Sequence, residues 1–179
     1  MGKKIFSFDI ILQPEFSSNA LVLIQEALRI SNQYRINEIF KSKLITVNAK
    51  KIRSSNGQWW KADGGLEAIK NPDFIIVIGG NLPVQKKSKK LFSTLRIAHK
   101  NSSKIIAVDT GAFLIAESGL INKETIVCTH WETKSNFIER YPEIKIVENI
   151  YTINNNGLMF AAGGISTLDL ILECIKKIK

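Results

Sequence analysis

Two apolar patterns alternate along this chain. Asp73-Phe74-Ile75-Ile76-Val77-Ile78 and Lys104-Ile105-Ile106-Ala107-Val108 are continuous apolar runs, which suit strands covered on both faces. Between and around them, apolar residues recur at helical spacing. Leu21, Ile24 and Leu28 mark a helix over Ala20 to Ile30, and Leu91, Leu95 and Ala98 mark another over Ser88 to His99. Ile5 to Leu12 predicts the first strand, and Ser17 or Ser18 can cap the helix that follows. Lys43 to Ala49 alternates and predicts the second strand. Ile52 to Ala62 predicts a hairpin turning at Asn56-Gly57. A short helix is expected over Leu66 to Ile69, after the Gly64-Gly65 break, and a further one from Asp109 to near Gly119. Downstream, strands are expected at Thr125 to Thr129, Lys145 to Val147, Tyr151 to Ile153 and Leu158-Met159-Phe160, with a turn at Asn154-Asn155-Asn156-Gly157. Helices are expected at Thr133 to Arg140 and, after Gly163-Gly164, at Ser166 to Ile178.

Strands alternating with helices predict an α/β fold, a mostly parallel sheet with helices on both faces. Ligands of such sheets bind beyond the carboxyl ends of the strands. Three loops collect there, Gln13-Pro14-Glu15-Phe16, Gly79-Gly80 and Asp109-Thr110-Gly111, and together they define the expected pocket.

The length of 179 residues and 45% hydrophobic content fit a single domain with a substantial core. No apolar run reaches the roughly 18 residues of a membrane span. The basic N-terminus reads as a strand and not a signal peptide, because Asp9 interrupts it and no small-residue cleavage site follows. A cytoplasmic protein is therefore expected, with no membrane contact. The net charge of +9 comes largely from lysine, including Lys86, Lys87, Lys89, Lys90, Lys176, Lys177 and Lys179. Few arginines and no interleaved aromatics accompany these clusters, so they read as solvated helix faces ahead of a nucleic-acid surface.

Cys128 and Cys174 lie far apart in apolar contexts and read as buried reduced thiols. With His99 and His130 the only histidines and no paired spacing, no metal site is expected, and no cofactor. Trp59 and Trp60 are neighbours on a strand, so one of them is expected to be buried.

Asp109-Thr110-Gly111 stands where a strand feeds a helix through a tight turn, the arrangement by which several α/β hydrolases present a nucleophile. A carboxylate is a poor attacking group for an amide. It can instead cap the helix or act as counter-ion to a cationic amine. Gly79 and Gly80, with Thr110 and Gly111, could offer backbone amides to a ligand. His130 and Trp131 could line the opposite side, with Phe16 closing the top. Cys128, two residues before His130 on a strand, falls on the same side by simple alternation.

The segments Ala107 to Leu120, Thr129-His130-Trp131-Glu132, Phe137 to Pro142 and Ala161 to Leu170 come in an order that resembles the N-terminal domain of GlxA-type AraC-family transcription regulators. Leu12 to Phe16, Glu26 to Ile30, Ser55-Asn56-Gly57 and Ile78-Gly79-Gly80 match as well, so the resemblance spans nearly the whole chain. It implies a class I glutamine amidotransferase-like, PfpI-like domain, a flavodoxin-like three-layer sandwich with Asp109 in the nucleophile-elbow position. Enzymes of that superfamily carry Cys there, and usually an acid after the first strand, where this chain has an offset Glu15. The resemblance implies a non-catalytic sensor of a small-molecule effector, a zwitterionic amine such as glycine betaine, dimethylglycine, carnitine or arginine. It also implies a homodimer. DNA would be contacted only through a helix-turn-helix module, which is not found within residues 1–179, so an excised sensor domain is expected. The alternative is a PfpI-like hydrolase, an amidase, peptidase or glyoxalase-like enzyme using Cys128, Thr110 or Asp109. A purely dimerising scaffold is a third reading.

Overall fold

The computed structural model describes residues 4–34, 36–48, 50–81 and 88–178. Lys86, Lys87 and Lys179 of the lysine clusters, and Ala49 of the expected second strand, lie outside them.

Among the described residues, eleven strands and five helices follow one another in the order β1 (Phe6–Leu12), α1 (Ser18–Gln33), β2 (Phe40–Thr46), β3 (Lys51–Arg53), β4 (Trp59–Lys61), β5 (Gly64–Gly65), β6 (Phe74–Ile78), α2 (Lys89–Lys100), β7 (Lys104–Val108), α3 (Gly111–Glu117), β8 (Ile126–Val127), α4 (Lys134–Arg140), β9 (Lys145–Ile146), β10 (Tyr151–Ile153), β11 (Leu158–Ala161) and α5 (Ser166–Lys177). Seven strands form the central sheet, ordered β10-β11-β7-β6-β1-β2-β5. All its pairings are parallel except β10 with β11. The expected three-layer flavodoxin-like sandwich is what forms.

Period-two alternation sorts the strand side chains into two cores. Phe8, Ile10, Leu12, Phe74, Ile76, Ile78, Ile106 and Val108 pack beneath α1 and α5. Ile11, Ile75, Val77, Ile105, Ala107 and Phe160 pack against α2 and α3. Asp9 breaks this pattern. It is 4% exposed, and burial pushes its carboxyl above the ordinary value while Lys43, its register partner on β2, pulls it back.

Local chemistry sets the element ends. The Ser17 hydroxyl accepts from the Ala20 amide and starts α1, as Ser88 does for α2 through Leu91. Near the end of α1, the Asn32 carboxamide accepts from the Ile39 and Phe40 amides and donates to the Phe40 carbonyl, fastening β2 to the helix. β2 therefore begins at Phe40, earlier than the alternation at Lys43 suggests. Its exposed Lys41-Ser42-Lys43 stretch lacks an apolar signal. The hairpin β3–β4 forms, but its loop runs from Ser54 to Gln58, with Asn56 Oδ1 accepting from Ser54 and Gln58. The Gly64-Gly65 break is itself a short parallel strand on β2. Trp60 packs edge-on to Phe16 at 6.1 Å while Trp59 is exposed, as adjacent strand positions require. The expected strand Thr125 to Thr129 is confined to Ile126–Val127, which pairs with β9 outside the main sheet. Trp131–Thr133 form a 3-10 turn ahead of α4. Among the described residues, no helix is long and apolar enough to cross a membrane.

Candidate functional site

β7 ends at Val108 and α3 begins at Gly111, so the chain must reverse direction within Asp109 and Thr110. Asp109 does this at φ 60°, in the left-handed region that most side chains avoid. Three hydrogen bonds hold the bend. The Asp109 amide donates to the Ala161 carbonyl at 3.0 Å, the Thr129 hydroxyl to the Asp109 carbonyl at 3.1 Å, and the Thr110 hydroxyl to the Gly80 carbonyl at 2.8 Å. The neighbouring loop is pressed so close that only glycine fits. A Cβ on Gly79 would stand 2.2 Å from Thr110 Oγ1 and 2.3 Å from the Gly111 nitrogen.

Above the bend lies a cleft of about 490 Å³ lined by Asn81, Asp109, Thr110, His130, Trp131, Glu132 and Thr133. His130 Nδ1 is 3.7 Å from Glu132 Oε2. The His130 ring tilts against Trp131, with centroids 5.7 Å apart, and Trp131 is 76% exposed. Behind Asp109 sits Gly163, where a Cβ would approach the carboxylate to 3.2 Å. Burial pushes the Asp109 carboxyl above its ordinary value. His130 and the Thr110 amide pull it down, and Glu132 adds to the rise. A cation entering the cleft would favour the charged carboxyl, offsetting both its desolvation and the repulsion from Glu132. Among the described residues no lysine or arginine lines this cleft, and no cluster of His, Cys, Asp or Glu is placed to hold a metal ion. A second recess of about 320 Å³ lies beside Asn154, whose side chain is already bonded to Ile126 and Leu158.

Of the residues singled out in the sequence, Asp109, Thr110, His130 and Trp131 meet at this cleft. Gly111 lies just below, buried, where a Cβ would strike the Val77 carbonyl at 2.5 Å. Three expectations need correction. Phe16 has no exposed surface and packs in the core against Trp60, so it does not close the cleft. Its backbone alone reaches the site, through a bridge to Gly80. The Gly79 amide is committed to the Val108 carbonyl and is not free for a ligand. Gly79 serves close packing instead, and Gly80 is packed as tightly, a Cβ on it meeting the Pro14 carbonyl at 2.1 Å. The cap position of α3 falls on Thr110, which makes no side-chain cap bond.

Cys128 is also relocated. It lies past the end of β8, buried at 1% exposure, its thiol donating to the Phe160 carbonyl at 3.3 Å. Burial pushes that thiol up to about 11, so it is not activated, and because β8 ends at Val127 strand alternation does not relate it to His130. Asn81, Glu132 and Thr133 were not singled out. Glu132 was visible in the sequence block Thr129 to Glu132, but only the 3-10 turn brings Trp131, Glu132 and Thr133 to one rim.

The chain is similar to the HTH-type transcriptional regulator CdhR of Pseudomonas aeruginosa, with 29% identity over 168 residues, 94% of this chain and 49% of that protein. It is also similar to the HTH-type transcriptional regulator GbdR of the same species, with 23% identity over 169 residues, covering 94% and 46%. The chain thus spans about half the length of these curated relatives. Among solved structures, an AraC family transcriptional regulator from Pseudomonas putida superposes with a TM-score of 0.86 at 20% identity, over 97% of this chain and 92% of that one. A ThiJ/PfpI domain protein from Brachyspira murdochii gives 0.79 at 14% identity, over 98% and 96%. Both share the fold. The DJ-1/PfpI family model matches residues 10–177. By that match over nearly its whole length, and by the elbow at Asp109 that the fold places at the sheet's carboxyl edge, the chain belongs to the DJ-1/PfpI family.

Proposed function

We propose that this chain is the effector-sensing domain of an AraC-type transcription regulator, binding a zwitterionic amine or amino-acid-like metabolite and releasing it unchanged. The observation that carries this reading is Asp109. An acid stands at the elbow where the superfamily's enzymes carry a cysteine, with Glu132 beside it and a cleft of about 490 Å³ above. Similarity to two HTH-type regulators over 94% of the chain supports a regulatory role. Effector binding would favour one arrangement of a homodimer and so reposition a helix-turn-helix module, which alone contacts DNA in the cytoplasm.

The hydrolase alternative is weakened at each candidate nucleophile. Cys128 is buried with its thiol pushed to about 11, Thr110 commits its proton to the Gly80 carbonyl, and a carboxylate does not attack amides readily. Isothermal titration with amino acids, polyamines and betaines tests the proposal. Saturable binding that Asp109→Ala abolishes, with no turnover of the bound molecule, is the expected result. Turnover that depends on Asp109 would refute it.

A further inference from the structure

Resting on the amine-sensor reading, we infer that the cleft selects a cation carrying N–H donors, a primary ammonium or a guanidinium, against a quaternary ammonium. Two independent observations lead there.

The first is the direction of the hydroxyl protons. Thr110 donates to the Gly80 carbonyl at 2.8 Å. Thr133 Oγ1 lies 3.0 Å from the His130 carbonyl and 3.3 Å from the Thr129 hydroxyl. Whichever of these takes the Thr133 proton, it points into the protein. Neither rim hydroxyl thus has a proton left to offer a ligand, and beside them stand the acceptor-only carboxylates of Asp109 and Glu132. The remaining side-chain donors are the Asn81 carboxamide and the His130 ring, suited to the carboxylate of a zwitterion. An ammonium or guanidinium supplies hydrogens to the acceptors it desolvates. A trimethylammonium group matches the charge but displaces water from these acceptors without supplying a hydrogen, which costs free energy at each one it covers.

The second is the aromatic count. Quaternary ammonium groups are held by cages of several aromatic faces. Among the described residues, the only rings lining the cleft are Trp131, 76% exposed, and His130 tilted against it. Trp60 is turned toward Phe16 in the core, and Trp59 does not line the cleft. A cage cannot be assembled from these.

The test is calorimetry of the whole chain with two series in which methylation removes N–H groups at constant charge. One runs from glycine through sarcosine and dimethylglycine to glycine betaine, the other from lysine to its Nε-trimethyl form, with arginine alongside. In the series that binds, affinity is expected to fall by about tenfold or more from the unmethylated to the trimethylated member. Thr133→Val, which removes a rim acceptor, narrows that ratio, whereas a purely structural role for Thr133 would weaken all members alike. Equal or rising affinity with methylation overturns this inference and leaves the amine reading standing. Binding by no member of either series, nor by arginine, in a chain that still unfolds cooperatively, overturns the amine reading and this inference with it.

Discussion

Asp109 combines a charge that its surroundings disfavour with a backbone angle that few residues accept. Burial lifts its carboxyl above the ordinary value. As pH rises, the unfolded chain therefore gives up this proton before the folded one, so stability is greatest below the ordinary carboxylate value and declines as pH climbs through the raised one. Asp109→Asn keeps the shape, tolerates φ 60° and carries no charge. We expect it to raise the Tm at neutral pH, with the gain disappearing in acid below about pH 3.9, while cation affinity falls about tenfold or more. Thermal unfolding across pH, paired with calorimetry, checks both halves; a lower Tm at neutral pH would contradict the argument. The importance of this residue was legible from the sequence because a covered strand, a Gly-containing turn and a helix pattern bracket it. Phe16 was misread because its loop does reach the site. Loop proximity does not determine whether a side chain turns inward, and Phe16 turns toward Trp60.

At the scale of elements, the cleft depends on β6 and α3 meeting at the distance of touching backbones. Gly79 lies between them, and a methyl group there would overlap both Thr110 and Gly111. Gly79→Ala is expected to cost about 1–3 kcal/mol, as over-packing typically does, read as a lower urea midpoint with an unchanged m-value. Stability equal to wild type would mean that the loop is free to yield. Element identities were readable wherever periodicity was strong, as in α1, α2, β6 and β7. They were less readable where a strand relies on partners over pattern. β2 starts at Phe40, fastened by Asn32, and runs on through polar Lys41-Ser42-Lys43, and β8 is cut short where its pairing with β9 ends. The rim at Glu132 and Thr133 was hidden for the same reason. A 3-10 turn between a short strand and a short helix has no periodic signature long enough to detect.

For the whole molecule, the charge of +9 invites a nucleic-acid reading that the architecture does not favour. Lys89 and Lys90 open α2, and Lys176 and Lys177 close α5, helices that cover opposite faces of the sheet. These groups cannot lie together on one duplex. The isolated chain is expected to bind DNA weakly and without sequence preference, losing detectable association by about 0.15 M salt. Fluorescence anisotropy against salt concentration checks this, and tight, salt-resistant binding would place the DNA surface within this domain.

The left-handed bend at the elbow also bears on which residues the position can hold. Short side chains with a carbonyl oxygen settle there with less penalty than others, while most L-residues would store about 1–2 kcal/mol of distortion. A thiol at the same bend would be held against that distortion, poised for attack. With the aspartate in place, the spring is partly unwound, and the comfort of the backbone and the capture of a cation call for the same side chain.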